Sequence, residues 1–154
     1  MMNSFVVDTC SFIEMNFFNK KIFKSLWENI YAMCDDRTLF SVKEVYEELG
    51  KGEDDIQEEW REKDFIFLEL GEEEQNALKK LERFEVFQRW GANSTSGLWA
   101  DPHLIAYAIT TNSIIITEEN LNNNPKRKIP YVCNELDIGC MNFNDFMEYQ
   151  EWEF

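Results

Sequence analysis

Two short runs of apolar residues, with no polar residue at alternate positions, constrain the fold of this chain most. The first spans residues 5–7 and the second spans residues 114–116. Runs of this kind are typical of strands that are buried on both faces of a parallel sheet. Carboxylates follow each run: Asp8 ends the first, and Glu118 and Glu119 come soon after the second. Because ligands of open parallel sheets bind beyond the carboxyl ends of the strands, these acids are predicted at a binding edge.

Strand-like and helix-like segments alternate along the whole chain. We predict strands at residues 4–8, 38–40, 65–68, 113–117 and 140–143, and helices at residues 21–34, 42–50, 54–63, 71–87, 101–109, 131–136 and 144–149. This alternation is typical of α/β proteins with a parallel sheet, and right-handed crossovers place helices on both faces. We therefore predict a single α/β domain over residues 1–154, with a central, mainly parallel sheet of four to five strands.

Two of the predicted helices begin with capping signals. Ser41 is predicted to be the N-cap of one helix, and Glu44 follows three residues later to complete a capping box. Asp101 is predicted to be the N-cap of the other, with Pro102 at the first helical position. Helical spacing also predicts two buried stripes: Phe23, Leu26, Trp27, Ile30 and Cys34 in the helix at 21–34, and Leu104, Ile105, Ala108 and Ile109 in the helix at 101–109.

The chain is strongly acidic, with 15 Lys and Arg against 30 Asp and Glu and a formal net charge of −15. This charge argues against a domain that coats nucleic acid through a broad basic face. An enzyme that contacts a few phosphates and holds metal at one point remains compatible with it. The four cysteines, Cys10, Cys34, Cys133 and Cys140, have no zinc-binding spacing, so we expect free thiols. Without a recognisable signal peptide or membrane-spanning stretch, the expected location is the cytoplasm.

Several acids lie where they would meet at one edge of the predicted sheet. Asp8 ends a buried strand, where a charge without a partner is costly. Asp101 shares its helical stripe with apolar residues, so its carboxylate is expected to face the sheet rim. Of Glu118 and Glu119, we expect one at this rim and the other in solvent. Converging carboxylates would need a hard cation, for which Mg²⁺ and Mn²⁺ are the main candidates.

Other polar residues have a structural explanation beside the functional one. Glu48 flanks an apolar stripe and points partly inward, whereas the capping box is a sufficient explanation for Glu44. His103 is either a catalytic base or a surface residue in the first turn of its helix. The cluster of Lys126, Arg127 and Lys128 is either a solvated loop or a clamp for substrate phosphate.

Four motifs occur in an order that resembles the PIN-domain nucleases. They are V-V-D-T-C-S at residues 6–11, V-Y-E-E-L at 45–49, W-A-D-P-H-L-I-A-Y-A at 99–108 and I-I-I-T-E-E at 114–119. With K-I-P-Y-V-C at 128–133, the chain resembles in particular a group of small bacterial PIN-like proteins of the DUF4411 type. The resemblance implies a three-layer α/β/α sandwich and a ribonuclease that depends on Mg²⁺ or Mn²⁺. Proteins of this kind are often the toxin of a bacterial toxin–antitoxin pair.

The resemblance also assigns roles to particular residues. The four acids that bind the metal and act in catalysis are matched by Asp8, Glu48, Asp101 and Glu119, of which the last is commonly aspartate in that family. The polar positions that orient these acids are matched by Thr9, Ser11 and Thr117. The implied partners are an RNA substrate, an antitoxin protein and a second copy in a homodimer, with no membrane association.

Two further functions are compatible with the sequence. The net charge of −15 motivates an inactive PIN-fold binding module that docks a protein partner. A phosphate-transfer enzyme of another α/β family fits less well. Phosphatases related to haloacid dehalogenases have D-x-D after the first strand, which the segment at residues 8–10 lacks. Response-regulator receivers have a paired acid near the start and a late lysine, and neither is seen here.

Overall fold

A parallel sheet of five strands organises the part of the chain that the structure describes, residues 3–52, 55–81, 100–120 and 129–154 of a computed structural model. The strands are β1 (Phe5–Val7), β2 (Leu39–Val42), β3 (Phe67–Leu68), β4 (Ile114–Ile116) and β5 (Cys140–Met141). Their order in the sheet is β3-β2-β1-β4-β5, and every neighbouring pair is parallel. Helices flank this sheet, which confirms the predicted three-layer α/β/α fold.

The sheet order creates a crevice beside the central strand. From β1 the chain moves outward through β2 and β3, and it then returns to the other side of β1 to form β4 and β5. The connections therefore leave β1 and β4 in opposite directions, which opens a binding crevice at the carboxyl ends of these two strands. Their register places Val7 opposite Ile116, so the residues that follow each strand emerge together.

Eight α-helices lie within the described residues. They are α1 (Thr9–Met15), α2 (Lys24–Asp35), α3 (Lys43–Gly50), α4 (Ile56–Glu59), α5 (Glu72–Leu81), α6 (Asp101–Thr111), α7 (Ile129–Leu136) and α8 (Phe143–Tyr149), and a 3₁₀ helix spans Arg61–Ile66. The helix α6 packs across β1, β2 and β4, and α5 packs on α6. None of the described helices is long and apolar enough to cross a membrane.

The core forms where the two apolar runs meet the helices. All three residues of β1 are buried, and so are Ile115 and Ile116 of β4. The ring of Phe12 in α1 packs edge-on against Trp60, with 4.9 Å between the ring centroids. The predicted stripe of α2 is buried except at Phe23, and that of α6 is buried except at Ile109, which is 41% exposed. Phe23 is the N-cap of α2 and so lies before its first turn, whereas Ile109 lies at the side of its stripe, so one predicted face is too long and the other too wide.

Neither predicted helix cap is correct. Ser41 lies inside β2, and its hydroxyl donates to the carbonyl oxygen of Val7 at 2.5 Å. Val42 takes the N-cap position of α3 without a side-chain hydrogen bond. The strand continues past the predicted start of the helix because Ser41 and Val42 pair with β3, and these ladder contacts outweigh a local cap. At α6 the N-cap is Ala100, so Asp101 is already inside the helix.

Other differences concern the ends of elements. The helix α1 has no counterpart among the predicted helices, because its seven residues are too few for an amphipathic pattern. The third strand begins two residues later than predicted, since residues 65 and 66 belong to the 3₁₀ helix. The last strand ends early because the side chain of Asn142 caps α8, accepting from the amide of Asp145 at 2.7 Å. The part of the helix predicted at 71–87 that follows Leu81 lies outside the described residues.

Candidate metal centre

Three carboxylates meet in the crevice beside β1. One oxygen each of Asp8, Asp101 and Glu119 lies within 4.8 Å of the other two. Asp8 follows β1, Glu119 follows β4 by three residues, and Asp101 is the first residue of α6. The fold thus brings together three of the four acids that the sequence predicts as metal ligands. We call these three residues the acidic triad.

Backbone pairing places Asp8 at the centre of the crevice. Its amide donates to the carbonyl oxygen of Ile116 at 2.9 Å, which extends the contact of β1 with β4 by one residue. Its carboxylate is the N-cap of α1 and accepts from the amide of Thr9 at 2.7 Å. Only 5% of the residue is exposed. A buried strand followed directly by a helix therefore fixes the position of this carboxylate.

The surroundings of Asp8 disfavour its charge. Burial, and then the negative charge of Glu119, raise the pKa of Asp8 from 3.8 to about 6. Hydrogen bonds from the Thr117 hydroxyl at 2.8 Å and the Cys10 thiol at 3.3 Å act in the opposite direction but are the smaller effect. Negative charge is thus concentrated in a place with little water, and a bound cation would compensate it.

The carboxylate of Glu119 is held by the start of α7. Its Oε2 accepts from the amide of Ile129 at 2.9 Å, and the positive end of a helix stabilises such a carboxylate. Its own amide donates to the hydroxyl of Thr117 at 3.2 Å. Thr117 therefore contacts two members of the acidic triad through one oxygen. Thr117, the first residue after β4, thus links the ends of β1 and β4.

Glu48 lies beside the acidic triad rather than within it. Its Oε2 accepts from the hydroxyl of Thr9 at 2.5 Å, and Thr9 directly follows Asp8. Its carboxylate does not belong to the group of three oxygens that lie within 4.8 Å of one another. The structure thus connects the fourth predicted acid to the site through one hydroxyl group.

Glu118 and Glu119 have different surroundings, although they are neighbours in sequence. Oε2 of Glu118 accepts from the hydroxyl of Ser11 at 2.7 Å and from the amide of Phe143 at 3.1 Å. Glu118 therefore binds the start of α8, and it does not point into solvent as one of the two acids was expected to do. Each predicted orienting hydroxyl thus donates to an acid: Thr9 to Glu48, Ser11 to Glu118 and Thr117 to Asp8.

A close contact between Glu44 and His103 joins α3 to α6. Nδ1 of His103 lies 2.8 Å from Oε2 of Glu44, and both atoms are buried. The pair explains why Glu44 does not complete a capping box: its carboxylate faces a partner on another helix. Because the buried Nδ1 of His103 faces Glu44, the geometry favours a structural role for His103 over the role of a catalytic base.

Sequence reasoning missed the part played by Cys10. Its thiol donates to Asp8, and its sulfur accepts from the amide of Glu118 at 3.2 Å. Burial, and then the charge of Asp8, raise the pKa of the Cys10 thiol to about 12. The group is therefore a neutral hydrogen-bond donor rather than a thiolate nucleophile. The sequence feature that points to this role is the position of Cys10 in the first turn after Asp8, between Thr9 and Ser11, whose hydroxyls donate to other acids.

The donor atoms of the acidic triad fit a hard cation. All three are carboxylate oxygens, and the group contains neither a histidine nor a thiol. Hard divalent ions prefer such oxygens, whereas zinc and copper prefer nitrogen and sulfur ligands. The buried Asp8, with its raised pKa, adds a reason for a cation to bind at this point.

Comparison with protein families gives a clear relationship. The model of a family described as "Domain of unknown function (DUF4411)" matches residues 5–154. The chain belongs to this family. No curated protein and no solved structure matches the chain. The match confirms the predicted DUF4411-type relationship, while membership of the PIN superfamily stays a prediction.

One predicted contact region cannot be placed. Lys126, Arg127 and Lys128, the predicted clamp for substrate phosphate, lie outside the described residues. The described chain stops at Asn120, next to the acidic triad, and resumes at Ile129, whose amide binds Glu119. Asn120 and Ile129, the described residues on either side of these positions, therefore both adjoin Glu119.

Proposed function

We propose that this protein is a metal-dependent ribonuclease of the PIN type, which hydrolyses phosphodiester bonds of RNA with Mg²⁺ or Mn²⁺. The observation that carries the proposal is the acidic triad. Asp8, Asp101 and Glu119 come from three separate parts of the chain, and their carboxylates lie within 4.8 Å of one another at the crevice beside β1. Acids brought together at this cost in repulsion and burial are typical of a site that binds a cation.

The chemistry follows from the donor atoms. A divalent cation held by carboxylates lowers the pKa of a bound water and neutralises charge on the phosphate. In this site Asp8 is held in place by three donors, from Thr9, Cys10 and Thr117, so its carboxylate is oriented before any ion binds. No protein nucleophile is required, which agrees with the neutral state of the Cys10 thiol.

The choice of Mg²⁺ or Mn²⁺ rests on the ligands. Three carboxylates supply too few oxygens for a closed calcium site, while Mg²⁺ commonly binds one or two carboxylates and keeps several waters. Such waters are the source of the nucleophile in hydrolysis. The expected products are a 5′-phosphate and a 3′-hydroxyl, as the PIN resemblance implies.

RNA cleavage provides the direct test. We expect single-stranded RNA or transfer RNA to be cut by the wild-type protein with Mg²⁺ or Mn²⁺, and not with EDTA. Asp8→Asn removes one ligand charge and should abolish cleavage. Asp36→Asn makes the same chemical change at an exposed residue and should cut like the wild type. Equal cleavage by Asp8→Asn and Asp36→Asn would defeat the proposal.

The role of a toxin in a toxin–antitoxin pair is the physiological part of the proposal. It is supported by the PIN resemblance and is tested by induction in a bacterial host. We expect the wild-type protein to arrest growth and Asp8→Asn to be harmless at the same expression level. A neutralising protein encoded beside this chain should restore growth by binding it. Growth arrest by both proteins would separate toxicity from cleavage and reject this role.

An inactive binding module is the second candidate. It is favoured by the net charge of −15 and by Phe17 and Ile22, whose side chains are 77% and 75% exposed between α1 and α2. Exposed apolar side chains of this size are typical of interaction surfaces. This candidate requires that divalent ions change neither RNA integrity nor the melting temperature, while a protein partner binds tightly.

A further inference from the structure

A cavity opens directly beside the acidic triad. It has a volume of about 780 Å³ and lies at the carboxyl ends of β4 and β5, between α7 and α8. Glu119 is a member of the acidic triad and also lines this cavity. The volume falls in the range of about 300–1,000 Å³ that is usual for sites of small ligands. A group that reaches the metal centre from this side must therefore pass the cavity.

The cavity presents neutral groups over most of its wall. Tyr131 offers an aromatic ring, Asn134 and Asn142 offer amides, and Ile138 and Met141 offer apolar surface. Among the described residues, no lysine, arginine or histidine lines it. From the described lining residues a phosphate would meet only like charge, as on Glu119, so we place the phosphate of a substrate at the metal centre rather than in the cavity.

Two of the three described acids that line the cavity are already engaged in hydrogen bonds, and the third, Asp145, is exposed to solvent. The carboxylate of Glu118 accepts from Ser11 and from the amide of Phe143, and that of Glu119 accepts from the amide of Ile129. These hydrogen bonds hold both carboxylates at the edge of the cavity. The cavity therefore suits an uncharged polar ligand better than a cation.

We propose that this cavity binds one nucleobase of the RNA strand, next to the phosphate that is cut. The proposal rests on the proposed ribonuclease function, because it places the phosphate at the acidic triad and turns the adjoining base toward α7. Bases in single strands are commonly bound by stacking on aromatic rings and by hydrogen bonds to their edges. Tyr131 provides the ring for stacking.

Asn134 provides the group that reads the edge of the base. A carboxamide has a donor and an acceptor side by side and can pair with a base in two hydrogen bonds. Asn142 is less suited because its side-chain oxygen already caps α8. The cavity thus gives this ribonuclease a preference for one base at one position beside the cleaved bond.

Uncharged nucleosides test the cavity without any need for cleavage. Adenosine, guanosine, cytidine and uridine are added at millimolar concentration to the whole protein, and the amide resonances are followed by NMR. We expect one nucleoside to shift the signals of residues 131, 134 and 141, and ribose 5-phosphate to shift none of them. Tyr131→Ala should weaken this binding roughly tenfold to a hundredfold, as is usual when a stacking ring is removed. Asn144→Ala, at an exposed position of α8 outside the cavity, should leave it unchanged.

Two results of the nucleoside experiment would overturn the proposal. One is that none of the four nucleosides shifts these signals. The other is that the cation agmatine binds there and no nucleoside does, since the cavity would then serve a positively charged ligand. Binding of nucleosides by a protein that cuts no RNA would support the cavity and reject the ribonuclease function.

Cleavage of a randomised single-stranded RNA gives the second measurement. Sequencing of the cut ends should show one preferred base beside the cleaved bond for the wild type and for Asn144→Ala. Asn134→Ala should lower this preference about tenfold, the effect expected from a lost pair of hydrogen bonds, while other sequences are still cut. Cleavage by the wild type without any base preference, or an unchanged preference in Asn134→Ala, would reject the cavity and leave the ribonuclease function standing.

Discussion

The hydroxyl of Thr117 donates a 2.8 Å hydrogen bond to Oδ2 of Asp8, although 109 positions separate the two residues in sequence. The bond exists because β1 and β4 pair in parallel with Val7 opposite Ile116. The first residue beyond each strand then emerges on the same side of the sheet. The register of the sheet thus sets the position of the buried carboxylate of Asp8.

Removal of this hydroxyl should weaken both the fold and the metal site. Thr117→Val keeps the shape of the side chain but leaves a buried acceptor of Asp8 without this donor. We expect the free energy of unfolding to fall by about 1 kcal/mol, the usual net contribution of one hydrogen bond, because Oδ2 of Asp8 keeps the Cys10 thiol as a donor. The affinity for Mn²⁺ should fall as well, because the hydrogen bond favours the charged form of Asp8. Thr117→Ser keeps a hydroxyl and should restore most of both properties in denaturation and Mn²⁺ titrations.

The stability of the metal-free protein should decrease with rising pH because of Asp8. Its pKa is about 6 in the folded protein against 3.8 ordinarily, so between these values the folded state holds a proton that the unfolded state has lost. Unfolding therefore becomes easier as the pH rises from about 4 to about 6, by about 3 kcal/mol for this group, and the loss persists above that range.

Urea denaturation across this pH range measures the effect. Asp8→Asn cannot ionise and should lack this component, so its stability relative to the wild type should increase from pH 4 to pH 6. Asp36→Asn serves as the control and should follow the wild type. Parallel curves for the wild type and Asp8→Asn would show that Asp8 has no raised pKa.

A divalent ion should stabilise the folded protein against heat. At a concentration one hundred times the dissociation constant, binding to the folded state alone adds about 2.7 kcal/mol. For a chain of this size the shift in Tm is roughly 5–10 °C. Asp101→Asn should remove most of this shift, and Glu48→Gln should reduce it less because Glu48 lies outside the acidic triad. If Glu48→Gln removes the shift as fully as Asp101→Asn does, then Glu48 is itself a ligand.

Substitution of the neighbouring residues Glu118 and Glu119 should affect Mn²⁺ binding differently. Glu118→Ala removes the carboxylate that accepts from the amide of Phe143 at the start of α8, and we expect a loss of about 1 kcal/mol in stability. Its effect on Mn²⁺ affinity should be small. Glu119→Ala should lose Mn²⁺ binding, since this residue belongs to the acidic triad, and it should also lose the contact with the amide of Ile129. Isothermal titration with Mn²⁺ and denaturation of both variants measure these effects. Loss of Mn²⁺ binding in Glu118→Ala, with binding kept in Glu119→Ala, would show that the wrong glutamate was assigned to the acidic triad.

The pair of Glu44 and His103 should be coupled in stability. The facing atoms of the two side chains are buried and lie 2.8 Å apart, so removal of either residue takes away this contact, and we expect Glu44→Ala and His103→Ala each to cost about 1 kcal/mol. The double variant should cost less than the sum, which a double-mutant cycle measures. Glu58 and Arg61 form an exposed ion pair, so their cycle should give a coupling near zero. Additive costs for Glu44 and His103 would show that the two residues do not interact.

Several features of the site were predictable because they depend on local patterns. The buried strands β1 and β4 are visible as unalternated apolar runs, and a residue that ends such a strand lies at the edge of the sheet wherever the strand sits. Asp8 is therefore found from sequence, and so is the pair of Glu118 and Glu119, of which the PIN resemblance selects Glu119. Asp101 is found as well, since its helical phase relative to Leu104 and Ile105 is the same whether or not it caps the helix.

Other features depend on partners that are distant in sequence. Ser41 and Glu44 match a capping box, but β3 extends the strand through Ser41 and His103 takes the carboxylate of Glu44. The sequence predicts only a free thiol for Cys10, whereas the fold places its sulfur between Asp8 and the amide of Glu118. The distance of Glu48 from the triad, bridged by Thr9, likewise follows from the packing of α3 against α1.

The sequence by itself determined the α/β class, the order of the strands and of the helices other than α1, and three of the acids that reach the crevice. These properties follow from hydrophobic periodicity and from the positions at which strands end. The tertiary structure alone decided which carboxylates share one point, which helix each of the two adjacent glutamates contacts, and where a cavity opens beside them. Those outcomes depend on distances of a few ångströms between remote segments, and such distances are set by sheet register and helix packing.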